Sequence, residues 1–82
     1  MEFNKKVEKF GMFGLTFEIR KDKKTKCRFI FCQNVMIINA DMNLGYIKDT
    51  RTWTKLEIME AFSTKCVKTG MGKEQILKYV SK

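Results

Sequence analysis

Residues 27–40 read CRFIFCQNVMIINA, two short apolar runs divided by Gln33-Asn34. Cys27 to Cys32 (CRFIFC) is aromatic and nearly continuous in its apolar character, Val35 to Ala40 (VMIINA) is rich in β-branched side chains, and both compositions suit a pleated surface. Gln33-Asn34 suits a tight turn between them. Runs this short have strand length rather than helix length. The stretch therefore predicts two central antiparallel strands joined as a hairpin.

Working back from this hairpin, the nine residues Arg20 to Arg28 (RKDKKTKCR) carry seven charged side chains, six of them basic. Before them, Phe13, Leu15, Phe17 and Ile19 alternate with Gly14, Thr16, Glu18 and Arg20. That is the period of a strand with one buried face, and it is read from Met12 onward. The charged run becomes the tip of a second hairpin. Glu2 to Phe10 (EFNKKVEKF) stays open, because Phe3, Val7 and Phe10 fit a helical face while the short length fits an edge strand equally well.

Working forward, Asp41 to Asn43 reads as a turn and Leu44 to Lys48 (LGYIK) as a short fourth strand. The period then changes. Thr54-Lys55-Leu56-Glu57 fits a capping box, in which hydroxyl and carboxylate satisfy amides at a helix start. Leu56, Met59, Ala61, Phe62 and Cys66 follow at spacings that build one apolar stripe. Lys65 and Lys68 suit the carbonyl end of that helix, and Gly70 its left-handed stop. After Gly72, Ile76, Leu77 and Val80 predict a second short helix flanked by Tyr79. The expected fold is α+β: a small antiparallel meander of three to four strands, then two C-terminal helices packed on one face. With 82 residues, no proline and no repeat, residues 1–82 form a single compact domain.

Composition bounds the chemistry. Lys and Arg number 17 against nine Asp and Glu, a net charge of +8 that favours polyanionic partners. Fourteen of the cations are Lys and three are Arg, whereas guanine edges and phosphates are read bidentately by Arg. Backbone contact is thus expected over sequence reading. There is no His, the usual general acid–base group, and Glu57 and Glu60 fall on the polar side of their helix. Cys66 sits on the apolar stripe and Cys27 and Cys32 on a strand, with no imidazole to generate a thiolate. Cys27 and Cys32 do not bridge across a strand, whose five residues span about 17 Å against a Cα limit of roughly 7 Å. With no C-x2-C spacing, no metal site, no cofactor and no enzymatic activity are expected. Gly70-Met71-Gly72-Lys73 lacks the rest of a phosphate-loop pattern and reads as a linker between helices. Apolar stretches are too short to span a bilayer and no signal peptide is evident, so no membrane partner and a cytoplasmic location are expected.

Two binding readings follow. In the first, Arg20, Lys21, Lys23, Lys24, Lys26 and Arg28 contact nucleic-acid phosphates without strong sequence specificity, with Lys5, Lys6 and Lys9 extending the track. Lys48 and Arg51 then join them, and Tyr46 and Trp53 are candidates for base stacking. For Trp53 the competing role is a hydrophobic staple ahead of the Thr54 cap, packed toward Ile58. In the second reading the chain is a regulator or inhibitor, of the kind a phage or mobile element encodes, that binds a host protein such as a nucleic-acid-processing enzyme. An acidic surface of that partner would meet the same cations, with Met12, Phe13, Met36 and Met42 as apolar contacts. A sheet edge also offers a route to a homodimer.

Overall fold

The computed structural model describes residues 2–39 and 53–81. Four strands, β1 (Glu8–Met12), β2 (Leu15–Lys21), β3 (Arg28–Cys32) and β4 (Val35–Asn39), precede two helices, α1 (Lys55–Thr69) and α2 (Lys73–Val80). The sheet is an antiparallel meander of order β1-β2-β3-β4. The α+β arrangement read from the sequence is therefore the one observed.

Both short hairpins close through two residues at positive φ, the backbone that matches the right-handed twist of the flanking strands. Gln33 (φ 51) and Asn34 (φ 64) join β3 to β4 as expected. Phe13 (φ 56) and Gly14 (φ 73) join β1 to β2, which corrects the reading of Phe13 as a strand residue. Period-two spacing is blind to such a turn, because Phe13 sits at the right interval from Leu15 yet belongs to the corner. The open N-terminal segment resolves as an edge: β1 pairs with β2 from Glu8↔Ile19 to Met12↔Leu15, and Phe3 bridges Asp22 further along. The fourth strand of the described sheet is thus β1. The expected strand at residues 44–48 and the turn before it lie outside the described residues.

Register decides which side chains meet. Phe10 lies opposite Phe17, and Ile19 opposite Ile30. These residues and Cys32 form the face that Ile58, Phe62, Cys66, Ile76 and Val80 of the helices cover. Phe10 and Phe17 stack at 5.3 Å, and Phe62 meets them edge-on at 6.1 and 5.2 Å. Burying one such side chain fully contributes about 1.5–3 kcal/mol. The seam of α1 is Ile58, Phe62 and Cys66, at strict i,i+4 intervals, whereas Leu56 is 58% exposed and leaves the expected stripe. Between β3 and β4 the register shifts at Ile30/Phe31, so Ile37 has no partner across the pair and both Ile37 and Ile38 pack on the core.

All five residues of β3 are buried, because the opposite face of the sheet is covered too. There Phe3 meets Phe29 and Phe31 edge-to-face at 5.7 and 5.3 Å. The Arg20 guanidinium carbon lies 4.2 Å from the Phe31 ring centroid, a cation–π contact. A strand buried on both faces reads as a continuous apolar run, which accounts for FIFC at residues 29–32.

The helix ends follow their sequence signals. Thr54 Oγ1 accepts from the Glu57 amide at 3.2 Å, and the Thr54 amide donates to Glu57 Oε1 at 2.9 Å. Gly70 (φ 70) ends α1, its amide donating to the carbonyls of Cys66 and Val67. The Gly72 amide donates to Gln75 Oε1 at 3.0 Å at the start of α2, so the Gly-Met-Gly stretch is a helix-to-helix connection.

Candidate phosphate-contacting surface

The β2–β3 connection is a folded turn. Asp22 and Cys27 close it through the Asp22 amide and the Cys27 carbonyl at 2.9 Å, and the Lys26 amide donates to the Asp22 carbonyl at 3.0 Å. Inside, one carboxylate oxygen of Asp22 accepts from both the Thr25 amide (2.9 Å) and the Thr25 hydroxyl (2.7 Å). These bonds, the hydroxyl's foremost, hold the Asp22 carboxyl below the usual carboxylate pKa. Asp22 is buried, 5% exposed, and one of its carboxylate oxygens is taken up by these two bonds. The N-terminal segment clamps the root of the turn: the Asn4 amide donates to the Lys21 carbonyl and the Lys23 amide to the Glu2 carbonyl, each at 2.9 Å.

The six basic residues of the charged run separate into three groups. Lys23, Lys24 and Lys26 are exposed on the turn, and none makes an ion pair among the described residues. Lys21 is half-buried on the helix-facing side of β2, opposite Arg28. The two arginines do not belong to the tip. Arg28 is 6% exposed and its Nη1 donates to the Trp53 carbonyl at 2.6 Å, tying β3 to the start of α1. Arg20 is held on the other face by Glu18 (Nε to Oε1, 2.8 Å) and by Asn34 Oδ1 (2.7 Å), besides its stack on Phe31. Strand register causes this split, since both arginines lie within strands where side-chain direction is fixed by the pleat.

The remaining expected contacts divide similarly. Trp53 packs against the core cluster that includes Ile58, and its buried indole nitrogen makes no hydrogen bond among the described residues. Met12 and Phe13 also pack on the core, while Met36 is 45% exposed on β4. Met42, Tyr46, Lys48 and Arg51 lie outside the described residues. Among the described residues no group of His, Cys, Asp and Glu could hold a metal ion, and no helix is long and apolar enough to cross a membrane.

A concavity of about 460 Å³ lies on the turn itself, lined by Glu2, Asp22, Lys23 and Lys24, and two more lie elsewhere on the described residues. One, of about 400 Å³, is lined by Asn4, Lys6, Glu8, Ile19, Lys21 and Arg28. Asn4 and Glu8 carry no sequence signal for such a role, because their convergence depends on how the chain bends between the Phe3 bridge and β1. The other, of about 270 Å³, lies between β4 and the helices, lined mainly by Ile37, Ile38, Phe62, Met71 and Tyr79. No protein-family model, curated protein or solved structure matches this chain.

Proposed function

We propose that the chain is a non-enzymatic binding protein that contacts nucleic-acid phosphates through the β2–β3 turn without reading sequence. One observation carries this reading: three exposed lysines, Lys23, Lys24 and Lys26, project from a turn whose own acid, Asp22, is consumed internally. Ammonium groups are compact point charges suited to backbone phosphates, and Arg20 and Arg28, whose forked guanidinium groups suit base edges, are engaged elsewhere. Binding of a labelled oligonucleotide should therefore be sequence-tolerant and fall steeply with salt as counterions are released. Lys23→Ala, Lys24→Ala and Lys26→Ala together should shallow the log–log salt slope by about two to three. Salt-insensitive binding, or a slope unchanged by the triple substitution, defeats the reading.

A protein-directed regulator is the second reading, and the apolar groove between β4 and the helices favours it, with Tyr79 46% exposed at its rim. A pull-down after nuclease treatment separates the two. Retention of one protein in stoichiometric amount supports the regulator; retention of nucleic acid that nuclease removes supports the phosphate binder.

A further inference from the structure

The cavity beside the turn has a charge distribution that the turn itself lacks. Lys6, in the segment ahead of β1, and Lys21, at the end of β2, both line it. Neither makes an ion pair among the described residues. Arg28 lines it as well, anchored by its bond to the Trp53 carbonyl, and Ile19 supplies an apolar patch. Asn4 adds a side-chain amide, and its backbone bond to Lys21 fixes one wall to the other. Glu8 is the one acid in the lining among the described residues.

We infer that this cavity seats a phosphate monoester, a second and recessed contact distinct from the open lysine turn. The choice of phosphate over other oxyanions rests on the nucleic-acid reading above. A volume of about 400 Å³ is at the small end of ligand pockets, enough for a phosphate with its sugar rather than for a run of backbone. Two lysines lining one cavity match a dianion better than the single charge of an internal phosphodiester. Glu8 sharpens that preference: its carboxylate accepts a hydrogen bond from a sugar hydroxyl but repels a second phosphate, so a continuing strand is disfavoured. The monoester belongs either to the end of a strand or to a mononucleotide.

The test uses the full chain at low salt. Amide chemical shifts are followed during titration with adenosine 5′-monophosphate and, separately, adenosine; in parallel, oligonucleotides of one sequence with a 5′-phosphate or a 5′-hydroxyl are compared for affinity. Shifts at Asn4, Lys6 and Lys21 are expected with the monophosphate and not with the nucleoside. The phosphorylated oligonucleotide should bind roughly fivefold more tightly than its hydroxyl twin, as one added charge-assisted contact provides. Lys6→Ala with Lys21→Ala should erase both distinctions, so that the phosphorylated and hydroxyl oligonucleotides bind alike; Lys6→Ala alone, at an exposed position, should weaken them with the fold intact. Shifts with the monophosphate but no oligonucleotide binding would uphold the cavity as a mononucleotide site and reject the function proposed above. Oligonucleotide binding with no distinction between phosphate and hydroxyl in either arm overturns the inference and leaves that function standing. A distinction that survives the double substitution also overturns it.

Discussion

Asp22 organises the turn from within, so its ionisation is the residue-scale control on the lysines outside. Because the Thr25 bonds lower its folded pKa below the ordinary 3.8, the carboxylate's stabilisation is fully present above the unfolded pKa. It is lost as pH falls through the lower, folded value. The Thr25 amide resonance should consequently titrate with a midpoint below 3.8, and a midpoint at or above 3.8 would contradict the bonding described. At Gly70 the issue is backbone alone. Its φ of 70 sits in the left-handed region and an added methyl would meet nothing within 4 Å. Gly70→Ala should lower stability by about 1 kcal/mol without changing the denaturant m-value, measured by urea unfolding. Gly70 was legible in the sequence because glycine advertises that conformation. Phe13 was not, since a phenylalanine at φ 56 carries no mark except the glycine after it.

For the elements, the strongest local signal is the reciprocal cap of α1. Thr54→Ala removes the hydroxyl that accepts from Glu57 and should cost about 1 kcal/mol. For a chain of this size that corresponds to a fall in Tm of about 4–8 °C. A melting temperature unchanged by the substitution would show that the cap contributes nothing. Both helices, β3 and β4 were readable because each is bounded by chemistry with a local cause: a cap, a stop or a turn. The limits of β1 were not, because Glu8–Met12 has two apolar positions and owes its strand state to pairing with β2. The same distinction governs the charged run. Its composition located the exposed lysines, but only register shows that Arg20 lies over Phe31 and that Arg28 is buried beneath the helix start. Local sequence contains the charge of a side chain; the face it occupies is decided by its neighbour strand.

Across the molecule, burial sorts the three thiols into different chemistries. Cys32 and Cys66 lie in the core, where desolvation raises both pKa values, and Cys27 is half-buried at the turn's closing position. No disulfide joins them. Alkylation of the native protein near neutral pH should modify Cys27 first, with Cys32 and Cys66 reacting only as the chain unfolds. Mass mapping of partially alkylated protein checks this, and early labelling of Cys66 would contradict the packing of α1 on the sheet.

The meander pairs each strand with its immediate chain neighbour, so the pairing of the four described strands draws on nothing that comes later in the sequence. Its cover does. Between the end of β4 at Asn39 and the end of α1 at Thr69 lie roughly thirty residues, which a ribosome adds in about two to six seconds. Hairpins close in microseconds. During synthesis the face bearing Phe10, Phe17, Ile19 and Ile30 is therefore assembled well before the helices that hide it. The nascent sheet waits with its apolar side open, and the six lysines and arginines of residues 20–28 are then its densest source of charge repulsion between neighbouring chains. The turn proposed to find a polyanion in the finished protein would serve the unfinished one as a guard against association.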